Sequence, residues 1–304
     1  MSVAPPNHMP QDFRSGYIAI IGAPNVGKST LLNRILGQKI SITSRKPQTT
    51  RNRILGIVHR PAAQMVFIDT PGVHKAHGPL NVRIVETALS SLAEVDLVLF
   101  LIDVIRPDPG AEALMIRNIQ ERKKPALLAL NKIDQIEKSK LLAVIDHWAT
   151  VYPFEALVPI SALEGTQVDR LLAAMEKLLP KGPPFFPEDA LTDVPERFIV
   201  AELIREKVFR LTGEEIPYAV AVTVESFKEE KDGERVRIHA VIHVEKNSQK
   251  GILIGKGGSK LKAVGTLARE EIEHFLGTAV FLELFVRVQK NWSRDTRALR
   301  RFGY

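Results

Sequence analysis

Gly22-Ala23-Pro24-Asn25-Val26-Gly27-Lys28-Ser29 decides the architecture of the first half of this chain. The apolar run Tyr17–Ile21 before it reads as a strand. Lys28–Leu36 after it has helical spacing, closed by Gly37. A glycine-rich turn between a strand and a helix is a phosphate cradle. Its N–H groups curl round oxyanions, and the helix N-terminus adds partial positive charge. Gly22, Ala23, Pro24, Asn25, Val26 and Gly27 therefore form the loop. Lys28 can reach the β- and γ-phosphates, and Ser29, followed by Thr30, can ligate Mg²⁺.

Beyond this loop, strands alternate with helices. Ile54–His59 and Gln64–Ile68 are close enough for an antiparallel pair, and Leu80–Ala93 is helical. Asp96–Val104, Pro125–Leu130 and Ala156–Ile160 read as strands, with helices at Ala111–Arg122, Leu141–Thr150 and Val168–Leu179. This order predicts an α/β domain: a mostly parallel sheet with helices on both faces.

Such sheets bind ligands at the carboxyl ends of their strands, so the loops there carry the chemistry. Asn131-Lys132-Ile133-Asp134 follows one strand. The Asp134 carboxylate can accept from guanine N1–H and the 2-amino group, donors that adenine lacks. Asn131 can hold the loop, and the Lys132 stem can lie along the base. Ser161-Ala162-Leu163 ends the next strand, and the Ala162 N–H can donate to guanine O6. Asp69-Thr70-Pro71-Gly72 follows Gln64–Ile68. Asp69 can hold Mg²⁺ through water, and the Gly72 N–H can feel the γ-phosphate. In the polar loop Gln48-Thr49-Thr50-Arg51 a threonine hydroxyl can complete Mg²⁺ coordination, with Thr50 favoured over Thr49. These residues predict GTP and GDP as ligands.

After the Pro-rich Lys181-Gly-Pro-Pro-Phe-Phe-Pro the texture changes. Glu196–Arg210 is helical. Ala219–Lys228 and Arg235–Glu245 alternate as a hairpin turned near Asp232-Gly233. Ser259–Leu276 is an amphipathic helix, and Ala279–Val288 is a strand. Ile252-Leu-Ile-Gly255-Lys256-Gly257-Gly258-Ser259 is a GxxG loop entering that helix. This context matches the KH fold, a smaller α+β domain whose GxxG loop clamps about four nucleotides of single-stranded RNA. Gly255, Gly257 and Gly258 let the backbone approach, and Lys256, Lys260 and Lys262 can neutralise phosphates. The tail brings Arg287, Lys290, Arg294, Arg297, Arg300 and Arg301 against one acid, Asp295. Trp292 among them suits either base stacking or core packing.

Composition agrees with two domains. The 304 residues are 45% hydrophobic and 25% charged, which allows each half a core. The boundaries read as a flexible N-terminus at 1–14, a nucleotide domain at 15–180, a linker at 181–195 and an RNA-binding domain at 196–304. With no cysteine, disulfides and thiolate metal sites are excluded. No signal peptide or spanning run is visible, so a cytoplasmic protein is expected. The net charge is +7. From Phe13 to Ile68 and from Lys246 to Arg269 there is no acidic residue, and each stretch holds one glycine-rich loop. An anionic partner at both is the reading.

The first-half motifs resemble those of translation-factor-type GTPases, with one departure. Val73 stands where Ras-like proteins place a water-orienting glutamine, so slow intrinsic hydrolysis is expected. Asn25 resembles the asparagine that binds K⁺ in related bacterial GTPases; a tolerated loop position is the alternative. On this resemblance Lys28, Thr50, Gly72 and Asn25 form the catalytic set. GAPNVGKS, QTTR, DTPG, NKID, SAL, ERFIVAELIREK, GKGG and the closing W-x-x-D-x-x-x-L-R-x-x-G-Y together resemble the Era-type family of bacterial GTPases. A monomer is expected, and the resemblance implies binding near the 3′ end of 16S ribosomal RNA during 30S subunit assembly. It also implies peripheral contact with the inner face of the cell membrane. An RNA chaperone that senses GTP without turnover, and a membrane-surface regulatory GTPase, are the competing readings.

Overall fold

The computed structural model describes residues 10, 12–43, 53–70, 72, 94–213, 216, 220–230 and 234–302. They form two compact units. The first holds the described residues up to 37, those between 53 and 72, and 94–193; the second holds 38–43 and 194–302.

In the first unit β1 (Arg14–Ile21) leads through the glycine loop into α1 (Lys28–Leu36). Then come β2 (Ile54–Arg60), β3 (Ala63–Asp69), β4 (Leu97–Asp103), α2 (Pro109–Arg122), β5 (Ala126–Asn131), α3 (Lys138–Val151), β6 (Ala156–Ile160) and α4 (Val168–Leu178). Among the described residues the sheet order is β2-β3-β1-β4-β5-β6. Among these six strands β2 and β3 pair antiparallel and the other neighbours pair parallel. Arg14 pairs with Ala63 at the start of β1.

Every residue of β3, β4 and β5 is buried, as in strands covered on both faces. On one face Val66, Val98, Phe100 and Leu128 pack with Met115 and Ile119 of α2 and Trp148 of α3. On the other, Gly56 leaves room for Leu32 and Leu36 of α1; a Cβ there would lie 2.5 Å from Leu32. The helix expected at Leu80–Ala93 lies outside the described residues.

The Pro-rich stretch is not a free linker, because it is bound to the first unit. Gln64 is fully buried and must have its amide satisfied. Its Oε1 accepts from the N–H groups of Phe185 (2.6 Å) and Phe186 (3.0 Å), and its Nε2 donates to Phe186 O at 2.7 Å. Phe185 stacks on Tyr17, and Ile57 N–H donates to Leu191 O at 2.9 Å, which covers the open edge of β2.

In the second unit α5 (Glu196–Leu211) is buried at every residue from Ile199 to Phe209. Its buried charges are paired. Arg205 donates to both oxygens of Glu202, at 2.7 and 2.6 Å, and lies over the Phe209 ring. Residues 38–43, which follow α1 in sequence, cluster here. Lys39 pairs with Glu206 at 2.5 Å and with Glu271, and the Thr43 N–H donates to Glu206 at 3.0 Å. Burial pushes the Glu206 carboxyl up, but Lys39, Lys207 and Arg210 outweigh it and hold it below its ordinary value.

β7 (Ala221–Glu229) and β8 (Arg235–Val244) are antiparallel, and β9 (Ala279–Val288) runs parallel to β8. Between β8 and β9 lie α6 (Asn247–Ile254) and α7 (Ser259–Leu276). Parallel pairing needs such a crossover. The turn expected at Asp232-Gly233 lies outside the described residues. A short helix that sequence reading did not foresee, α8 (Thr296–Arg301), is capped by Asp295, whose side chain accepts from the Arg297 N–H. Trp292 is fully buried against Phe302 and clusters with Ala221, Ala298 and Leu299. That settles its two readings in favour of core packing.

Candidate nucleotide site and nucleic-acid loop

Parallel strands β1, β3, β4, β5 and β6 end on one edge of the sheet. There the topology gathers the loop Gly22–Gly27, Asp69, Thr70, Gly72, Asp103, Asn131–Asp134 and Ser161–Leu163. The glycine loop is held in a conformation that few sequences adopt: Asn25 has φ 64° and Gly27 φ 106°. A Cβ on Gly27 would lie 2.3 Å from Asn131 Nδ2.

Lys28 opens α1 and is buried. Its ammonium donates to the carbonyls of Gly22 (3.1 Å) and Ala23 (2.9 Å). Burial lowers its pKa from 10.5 to about 8, against an upward pull from Asp69. Between these values the folded protein has given up a proton that the unfolded chain keeps. Stability of the nucleotide-free protein therefore rises with pH through that window. A polyphosphate placed against Lys28 raises its pKa again, so binding must take up a proton. At pH 8 the uptake should be about half a proton. Titration calorimetry in two buffers of different ionisation enthalpy measures it, and zero uptake contradicts this state of Lys28.

Ser29 Oγ donates to Asp69 Oδ2 at 2.8 Å, and Asp69 is fully buried. A hydroxyl and a carboxylate side by side suit a hard cation such as Mg²⁺. Such an ion takes few protein ligands and completes its shell with phosphate and water. Thr70 Oγ1 donates to Ile20 O at 2.7 Å, tying the end of β3 to β1. Gly72 lies against the glycine loop; a Cβ there would lie 2.8 Å from Pro24 Cα. Thr49, Thr50, Pro71, Val73 and residues 74–93 lie outside the described residues. Thr30 continues the first turn of α1.

Asn131 joins three loops. Its Nδ2 donates to Val26 O at 2.7 Å, and its Oδ1 accepts from the Ala162 N–H at 2.9 Å. The Ala162 N–H, expected to donate to guanine O6, donates to Asn131 in this structure, and Ala162 is buried. Leu163 beside it is exposed, and its carbonyl accepts from Arg34 of α1, a contact that no local pattern announces. Asp134 is exposed at the mouth of the edge. Slight burial raises its pKa, but hydrogen bonds from Ser161 and Gln135 outweigh that and hold it below the carboxylate range. It is an anion at neutral pH, as a double acceptor must be.

In the second unit Gly255 (φ 73°), Gly257 (φ 58°) and Gly258 (φ 81°) are all left-handed. Gly255 is packed, since a Cβ there would lie 2.9 Å from Lys260 Cβ; Gly257 and Gly258 face open space. Lys256 and Lys262 are exposed and Lys260 half-buried. Residues two apart on a helix point to different sides, which separates Lys262 from Lys260 and the loop. Ile252 of α6 is an exposed apolar neighbour of the loop that sequence reading passed over.

The sheet order, the glycine loop and the guanine-type edge define a P-loop GTPase unit, and the loop between α6 and α7 defines a KH unit. Comparison with known proteins agrees. A family described as "50S ribosome-binding GTPase" matches residues 17–132, and the KH domain family matches 215–293. GTPase Era of Geotalea uraniireducens (strain Rf4) is 58% identical over 294 residues, 97% of this chain and 99% of that protein. The crystal structure of Aquifex aeolicus Era Y63A bound to GDP·AlF4⁻ matches with TM-score 0.92 and 42% identity, over 96% of this chain and 99% of that one. A structure of Era with MgGDPNP and nucleotides 1506–1542 of 16S ribosomal RNA matches with the same score, identity and coverage. The chain belongs to the Era family of GTPases.

Proposed function

We propose that this protein binds GTP and Mg²⁺ at the carboxyl edge of its sheet and hydrolyses GTP to GDP, and that the nucleotide state gates single-stranded RNA binding at Gly255–Gly258. The RNA proposed is the 3′ end of 16S ribosomal RNA, and the task is assembly of the 30S subunit. The observation that carries this is one chain holding both an Asn131–Asp134 edge opposite a phosphate loop and an open left-handed GKGG loop.

The N–H groups of Gly22–Ser29 cradle the phosphates. Lys28 leaves its carbonyl partners for the β- and γ-oxygens, and the Gly72 N–H contacts the γ-phosphate. Mg²⁺ held by Ser29 and Thr50, and by Asp69 through water, would neutralise the charge of the phosphates. Val73 has no group to orient the attacking water, so turnover is slow until a partner or ion helps. K⁺ held at Asn25 is the proposed helper, and K⁺ against Na⁺ in the turnover assay tests it. Gating has a physical route along the chain. Residues 38–43 are anchored in the second unit by Lys39 and Glu206, and the expected Thr50 loop follows directly.

We place the protein in the cytoplasm as a monomer; no helix among the described residues is long and apolar enough to cross a membrane. Arg287, Lys290, Arg294, Arg297 and Arg300 are exposed. They suit RNA phosphates or, in a second reading, anionic lipid at the inner membrane surface. Co-sedimentation with anionic vesicles tests that reading.

Gly257→Asp is the informative variant. Asp tolerates a left-handed backbone and the site is open, so folding is kept while a carboxylate meets the RNA phosphates. RNA affinity should fall at least about tenfold with GTP turnover unchanged. Crosslinking to total cellular RNA with a GTP analogue, with GDP, and with Gly257→Asp tests the whole reading. A peak at the 3′ end of small-subunit RNA, lost in the variant, is expected; a flat profile in every state removes the ribosomal role.

A further inference from the structure

Asp103 closes β4 and is 5% exposed. Its Oδ1 accepts from the backbone N–H groups of Ile105 (2.9 Å) and Arg106 (3.1 Å), an Asx-type turn that ends the strand. Its Oδ2 accepts from Lys132 Nζ. The same ammonium donates to the Asn25 carbonyl at 2.9 Å. Lys132 is therefore held at two points, one on β4 and one on the phosphate loop, and its own backbone is left-handed at φ 72°.

We propose that Asp103 is a positioning residue for the nucleotide site: its carboxylate fixes the Lys132 stem as the wall on which the guanine ring rests. The inference depends on the reading that Asn131–Asp134 face guanine. A lysine has four rotatable bonds, and an untethered stem must be ordered each time the base arrives. Tethered to a buried carboxylate, it is ordered beforehand, and the bound nucleotide leaves more slowly. The Lys132 bond to Asn25 carries the same constraint into the phosphate loop. GDP and GTP carry the same guanine base, so both should be affected alike.

Asp103→Asn separates the two duties of the side chain. An Asn oxygen still accepts from Ile105 and Arg106, so the turn is kept, but the amide cannot pair with Lys132. The dissociation rate of a fluorescent GDP analogue from the full chain should rise about tenfold. KM for GTP should rise and kcat should stay unchanged. Lys132→Met keeps an apolar stem without the ammonium, and Asp103→Asn added to it should bring no further change. Wild-type dissociation in Asp103→Asn overturns the proposal. So does an equal acceleration by Asp103→Asn with and without Lys132, which would mean that the carboxylate serves only the turn. Asp134→Asn in the same series separates the two readings. If it leaves GDP binding intact, the guanine edge falls; if it weakens binding while Asp103→Asn does not, only the positioning role falls.

Discussion

Lys28→Ala is expected to lower affinity for GTP and GDP by about three orders of magnitude, the scale of removing one partner from a desolvated charge pair. The ammonium is buried at the N-terminus of α1, and the carbonyls of Gly22 and Ala23 hold it where phosphate oxygens would lie. Folding should survive. Burial already depresses the ammonium's pKa to about 8, so its removal takes away a group that the folded chain carries at a cost. Equilibrium binding of a fluorescent nucleotide measures the loss, and unchanged affinity removes the phosphate-loop assignment.

Asp134→Asn is expected to weaken guanine nucleotides by about two to four orders of magnitude, because two hydrogen bonds to a charged acceptor are involved. Asp134 is ionised and offers only acceptors, whereas guanine offers two donors. An Asn oxygen can take N1–H, but its amide then faces the 2-amino group, donor against donor. Xanthine carries a 2-oxo group there, so the variant should prefer xanthine nucleotides. Competition of the two diphosphates for Asp134→Asn gives the ratio directly. A variant that still prefers guanine contradicts the role of Asp134.

Some of this was legible in the sequence because local chemistry dictates it. α1 runs from Lys28 to Leu36 as read, since the glycine loop fixes its start and Gly37, left-handed at φ 68°, its end. The runs read as strands at Asp96–Val104 and Pro125–Leu130 are β4 (Leu97–Asp103) and β5 (Ala126–Asn131), shifted by one residue at their ends and buried because both faces are covered. What escaped is long-range. Gln64 resembles any polar strand residue until Phe185 and Phe186, over a hundred positions on, satisfy its amide. The Ala162 N–H looked available because its partner, Asn131, comes from another strand. Asp103 lies inside the run read as Asp96–Val104, and its partner Lys132 lies 29 residues away. α8 has six residues, too few to show a period, and its Asp295 cap stood out only as the one acid in a basic tail.

The coupling between the two halves is the central claim, and RNA affinity under nucleotide control tests it most directly. A labelled oligonucleotide with the 3′-end sequence of 16S ribosomal RNA would be titrated with the full chain and followed by fluorescence anisotropy. The titration would be run with a non-hydrolysable GTP analogue, with GDP and with Gly257→Asp. Tighter binding with the analogue than with GDP, lost in both states by the variant, is the predicted result. Equal affinity with analogue and GDP, indifferent to Gly257→Asp, would contradict a nucleotide-gated RNA clamp.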